Sequence, residues 1–149
     1  MLGTGLGGLV DEINERVSID YADIPFLPIP SVKGHGKRLS KGVIDGKRVI
    51  CWEGRIHMYE GYQSHELNFI TYLSAFLGCK YMILTNSSGG GVKGMKAGSI
   101  MVSSDHFAWA SKCPVSPVFN DPRFGSKYVN ASRSGHSPYL LGLAHKAAE

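Results

Sequence analysis

The chain has 149 residues, 43% hydrophobic and 19% charged, a balance that buries one apolar core; a disordered or fibrous chain is excluded and a second domain has little room. Sixteen Lys and Arg against twelve Asp and Glu leave a formal charge of +4, scattered along the sequence, which favours anionic ligands and lacks the basic stripe of a nucleic-acid binder. Three cysteines without CxxC spacing support neither a disulfide framework nor a zinc ribbon, no apolar run approaches the ~18 residues of a membrane span, and no secretory leader is evident. A soluble, cytoplasmic protein is expected.

The first element is a glycine cluster, Gly3-Thr4-Gly5-Leu6-Gly7-Gly8, which needs a preceding strand of which only Met1-Leu2 remain. Leu9, Ile13 and Val17 then recur at i, i+4 and i+8, predicting a short amphipathic helix. Three prolines between Ala22 and Pro30 predict an extended surface segment, and Lys33 to Lys37 a flexible basic loop. Asp45-Gly46-Lys47 between Val43-Ile44 and Arg48 to Trp52 predicts a β-hairpin. From Ser64, the spacing of Leu67, Ile70, Leu73 and Leu77 up to Gly78 predicts a helix. Tyr81 to Thr85 reads as a buried strand running into Asn86-Ser87-Ser88-Gly89-Gly90-Gly91, and Ser99 to Ser103 as a further strand. Past Asp105 the pattern weakens until Ser137 caps, and Pro138 opens, a helix over Tyr139 to Ala148. Strand, helix, strand and glycine loop are α/β order. The expectation is one partial α/β domain over residues 1–149, a mixed central sheet flanked by helices in three α/β/α layers, cut at both ends.

Three segments carry chemistry. Gly3 to Gly8 offers backbone N–H groups for an oxyanion, with Thr4 adding a hydroxyl; a plain glycine turn fits the same residues, and the lysine of a Walker A loop is absent. If strand alternation persists beyond Trp52, Arg55, His57 and Tyr59 share one face, a guanidinium, imidazole and phenol suited to phosphate and sugar hydroxyls. Glu60 then falls on the opposite face unless the chain turns. Asn86 to Gly91 lies past the carboxyl end of a predicted strand, where α/β sheets bind ligands. His57, His65 and His106 lack the spacing of a recognised metal site, and no GxSxG elbow occurs.

In order, Gly3-Thr4-Gly5-Leu6-Gly7, Gly34-His35-Gly36, Gly54 to Tyr62 (GRIHMYEGY), Thr85 to Gly90 and Asp121-Pro122-Arg123-Phe124-Gly125 resemble the trimeric purine nucleoside phosphorylase family over about Gly3 to Gly125. The resemblance implies reversible phosphorolysis of purine nucleosides to free base and ribose 1-phosphate. Inorganic phosphate is the co-substrate, and no metal or organic cofactor is implied. It implies that Thr4, His35, Arg55, His57 and the Ser87 amide bind phosphate and that Tyr59 contacts a ribose hydroxyl. It further implies that Glu60 supports His57 as a catalytic pair, and that Phe124 is lent to a neighbour's sugar pocket in a homotrimer. Neither nucleic acid nor membrane is an implied partner.

The family commonly has serine at Thr4 and alanine at Ser87 and Ser88, and its pattern fades over Lys127 to His136. Its purine-holding residues lie in a C-terminal half that this chain does not reach, so the 149-residue chain alone is expected to lack phosphorolysis. Two alternatives stand beside the enzyme reading: methylthioadenosine phosphorylase, and a truncated, non-catalytic phosphate-binding or subunit-interaction module.

Overall fold

The computed structural model describes residues 1–31, 36–105 and 136–149, in two compact units, Met1–Gly89 and Gly90–Glu149. The first unit is built on an antiparallel sheet of β1 (Asn14–Asp20), β2 (Arg38–Ile44) and β3 (Lys47–Trp52), in that order. The β2–β3 hairpin forms where the sequence predicts it. Asp45 and Gly46 take φ of 47° and 71°, the paired left-handed conformation whose twist matches the strands, and Ile44 faces Lys47 across the turn. A bulge between Asn14 and Val17 bends β1 against β2.

Two short helices follow, α1 (Ser64–Leu67) and α2 (Phe69–Phe76), where a single helix is expected. Of the predicted stripe, Ile70 is buried and Leu67 and Leu73 pack on the core, whereas Leu77 is exposed. The core joins Trp52 and Ile56 to Tyr21, Leu27 and Ile70. Trp52 holds it together. Its ring lies 5.6 Å from that of Tyr21, and its Nε1 donates to Ser74 Oγ at 2.8 Å, a hydroxyl that in turn donates to the Ile70 carbonyl at 2.8 Å. The indole therefore fixes α2 to the end of β3 without leaving its N–H unpaired.

Several expectations are corrected. Leu9, Ile13 and Val17 do not form an amphipathic helix: Gly7–Glu12 is a 3₁₀ turn, and Val17 lies exposed on β1. The residues that bury are Val10 and Ile13, which cluster with Leu2 and Cys51. The proline segment is not wholly on the surface, since Leu27, Pro28 and Pro30 are buried. Tyr81–Thr85 and Ser99–Ser103 are not strands, and Tyr81, Ile83, Leu84, Ile100 and Met101 are exposed. In the second unit, α3 (Pro138–Ala148) starts as predicted: Ser137 Oγ accepts from the Leu140 amide at 3.4 Å.

Among the described residues no helix is long and apolar enough to cross a membrane. Of the fold class, the α/β character is carried by this sheet with its helices. Truncating the fully buried Trp52 to Ala is expected to cost about 3–5 kcal/mol, the usual loss for a core aromatic. Urea unfolding measures it, and a loss below about 1 kcal/mol would contradict the central place given to this side chain.

Candidate functional site

The site is organised by how its loops are rooted. Leu2 N donates to the Trp52 carbonyl at 2.9 Å. On the other side, Met1 N donates to Ile83 O at 2.8 Å and the Met1 carbonyl accepts from Thr85 N at 3.2 Å. One residue bonding to two positions two apart is the pattern of parallel neighbours. Gly3 N adds a 2.8 Å bond to Thr85 Oγ1, and a Cβ at Gly3 would strike the Thr85 carbonyl and Asn86 Cα. Three loops thus depart from one cross-tied set of residues: the glycine turn after Leu2, the Glu53–Glu60 stretch after Trp52, and Asn86–Gly89 after Thr85.

The glycine turn is closed by a bond from Leu6 N to Gly3 O at 3.3 Å, with Gly5 at φ 91° and Thr4 exposed at its tip. Ser87 is likewise exposed, its carbonyl accepting from Asn86 Nδ2 at 3.1 Å. The middle stretch departs from the expected strand. Gly54 takes φ 115°, a conformation that side chains disfavour, and alternation ends there. Met58–Glu60 then forms a 3₁₀ turn.

The turn achieves what alternation does not. Arg55 Nε donates to His57 Nε2 at 3.1 Å, the His57 and Tyr59 rings stack at 4.8 Å, and Glu60 swings back so that its Oε1 meets His57 N at 2.8 Å and Nδ1 at 3.0 Å. Glu60 therefore does not fall on the opposite face. Its Oε2 accepts from Ser31 N at 2.5 Å and Ser31 Oγ at 2.7 Å. Tyr59 is 75% exposed.

These bonds determine the imidazole tautomer. Arginine can only donate and an ionised carboxylate only accept, so Nδ1 carries the hydrogen and Nε2 presents its lone pair to Arg55. Glu60 is ionised: burial pushes its carboxyl up, but the bonds from Ser31 and then His57 outweigh burial and bring it from the usual 4.5 to about 2.

Arg55, His57, Tyr59 and Glu60 are thus one contiguous group, with Thr4 and Ser87 on loops rooted beside it. His35 and Phe124 lie outside the described residues. Ser31 was not singled out from sequence, and nothing local could have found it, since it meets Glu60 from 29 positions away. Among the described residues no three His, Cys, Asp or Glu side chains are placed to hold a metal ion.

Comparison with known proteins gives the group a context. Residues 1–149 match the family model of the phosphorylase superfamily. Purine nucleoside phosphorylase 1 of Bacillus subtilis is 37% identical over 150 residues, covering 100% of this chain and 54% of its own length. The Mus musculus purine nucleoside phosphorylase is 36% identical over 128 residues, covering 85% of this chain and 44% of its own length. Among solved structures, a purine nucleoside phosphorylase in complex with ribose 1-phosphate superposes with TM-score 0.58 at 35% identity, covering 63% of this chain and 34% of that one. The Schistosoma mansoni enzyme in complex with inosine gives 0.57 at 35% identity, covering 62% and 32%. The chain spans about half the length of the curated relatives it matches.

The Glu60 geometry has a measurable consequence. A carboxyl whose folded value lies below its unfolded one stabilises fully above pH 4.5, and loses that contribution as pH falls toward about 2. The stability difference between wild type and Glu60→Gln, from urea titrations, is expected to be flat above that window and to shrink steadily within it. A difference independent of pH would show that the carboxylate is not held as described.

Proposed function

The chain belongs to the phosphorylase superfamily, and from that membership we propose that the protein is a purine nucleoside phosphorylase whose phosphate and ribose contacts this chain supplies. The observation that supports it most is the contiguous Arg55–His57–Glu60 group, flanked by two backbone loops rooted on the same residues. Guanidinium, imidazole and loop amides are the donors that a tetrahedral oxyanion requires.

In this reading phosphate rests against Arg55, His57, Thr4 and the Ser87 amide, with His35 joining them, while Tyr59 orients the ribose. Glu60 on Nδ1 holds the imidazole, whose Nε2 lone pair receives the Arg55 Nε–H, so His57 orients the guanidinium against the phosphate. Phosphate then attacks C1′ as the glycosidic bond breaks. The bonding pair leaves with the purine, and the oxocarbenium-like centre passes over the anion held beneath it. The products are free base and ribose 1-phosphate, formed with no metal or organic cofactor. The finer architecture belongs to the same proposal: a three-layer α/β/α domain with a mixed sheet, assembled in the cytoplasm as a homotrimer in which Phe124 reaches a neighbour's sugar pocket.

Phosphate-dependent release of hypoxanthine from inosine by the full-length protein tests this, and cleavage of methylthioadenosine in preference to inosine would move the assignment to that related activity. Arg55→Ala is expected to weaken phosphate binding by about 1.5–3 kcal/mol, the worth of a hydrogen bond to a charged group. Calorimetry with inorganic phosphate reads it, and unchanged affinity would remove Arg55 from the site.

A further inference from the structure

Two residues before Arg55, the described chain holds a buried acid to which the reaction above gives no task. Glu53 is buried, and its Oε1 accepts from Arg16 Nη2 at 2.9 Å and from the hydroxyl of Ser40, which is fully buried on β2. Ser40 Oγ also lies 2.7 Å from Ser18 Oγ and accepts from Arg16 Nε at 3.2 Å, so β1 and β2 both reach this one carboxylate. Asp11 lies 3.8 Å from Arg16 and is largely exposed.

The backbone of Glu53 is held just as firmly. Its N–H donates to Arg38 O at 2.9 Å, and its carbonyl accepts from Lys37 N at 2.8 Å. Lys37 sits at φ 53°, a conformation that non-glycine residues keep only when their surroundings enforce it. The enforcement is visible: Glu53 takes the Lys37 N–H, and Tyr21 N donates to the Lys37 carbonyl at 2.9 Å. One residue earlier, a Cβ on Gly36 would come within 2.5 Å of Glu53 Oε2 and 3.0 Å of its Cβ, so a side chain there displaces that of Glu53. After Glu53, the Gly54 carbonyl is fixed by Tyr21 Oη at 2.9 Å, and Arg55 follows. The part-buried Arg16–Glu53 pair fixes where the carboxylate sits, whatever its net contribution to stability.

We propose that Glu53 is a positioning residue for the oxyanion. Its carboxylate and backbone tie Gly36, Lys37 and the first two strands to the segment that carries Arg55 and His57. Glu53 does not touch the anion. This rests on the phosphate-site reading above.

The test compares the full-length wild type with Glu53→Ala, Glu53→Gln, Gly36→Ala and Ser40→Ala, by steady-state phosphorolysis of inosine and by calorimetry with inorganic phosphate. Glu53→Ala and Gly36→Ala are expected to raise KM for phosphate about tenfold, with kcat at saturating phosphate and KM for inosine within about twofold. Glu53→Gln, which keeps the length and the acceptor oxygen, is expected to restore phosphate KM to within about threefold of wild type. A residue that only stabilises the fold would lower the melting temperature and the active fraction without this split, and a wild-type phosphate KM in folded Glu53→Ala would overturn the proposal. If Glu53→Ala does not fold, Ser40→Ala decides: a rise of about threefold in phosphate KM supports it and no change overturns it. Wild type that binds no phosphate would instead sink the functional reading itself. Wild type that binds phosphate without cleaving inosine would sink only the activity, and the calorimetric series would still read Glu53.

Discussion

Trp52 is the residue on which the site's geometry depends, because it acts in two directions at once. Its side chain is locked into the core between the Tyr21 ring and Ser74 on α2, while its carbonyl receives Leu2 N and its successor begins the Arg55 stretch. Rigidity from the core therefore reaches the glycine turn through one backbone bond and the guanidinium through three residues of chain. A site built this way needs no regular element of its own. The roots of the glycine turn and of the Arg55 stretch are both held by Trp52, which cannot move without opening the core.

The parts of this arrangement that are legible in sequence are those set by neighbours in the chain. The Asp45-Gly46 hairpin and the Ser137-Pro138 start of α3 are decided within four residues, and both form as predicted. Arg55, His57 and Tyr59 do come together, though through a different cause: alternation stops at Gly54, and stacking within a 3₁₀ turn replaces it. That turn also explains Glu60, whose place relative to His57 depends on whether the chain bends. The Leu9, Ile13 and Val17 spacing misleads because Val10 and Ile13 bury instead, three residues apart, against Leu2 and Cys51. What pattern reading cannot supply is long-range pairing, and Ser31 on Glu60 and Arg16 on Glu53 are of that kind.

The electrostatics of the two acids differ in a way that suits their places. Glu60 lies beside the imidazole and is stabilised as an anion by four hydrogen bonds from neutral N–H and O–H groups. Glu53 is matched instead by a cation, Arg16, which cancels its field locally. An anion arriving near Arg55 meets fewer opposing charges than the count of carboxylates suggests. The charge of Glu60 is met by hydrogen bonds alone, and that of Glu53 by an opposite charge.

The apolar run Met82-Ile83-Leu84 separates two properties that a strand normally combines. Its backbone is engaged, since Ile83 O and Thr85 N bond to Met1, yet Ile83 and Leu84 are 66% and 61% exposed. Backbone pairing sets where Asn86 and Ser87 emerge, while burial would set how strongly they are held there. Each such bond contributes only about 0.5–1.5 kcal/mol net, against about 1.5–3 kcal/mol for a fully buried Leu or Ile side chain. The Asn86 side of the site is thus positioned by the Met1–Gly3 segment but anchored less firmly than the Arg55 side, where Trp52, Glu53 and Tyr21 add buried contacts to the same kind of bonds. The difference lies in side-chain cover: the same kind of backbone bond is backed by a buried core on the Arg55 side and by exposed apolar side chains on the Asn86 side.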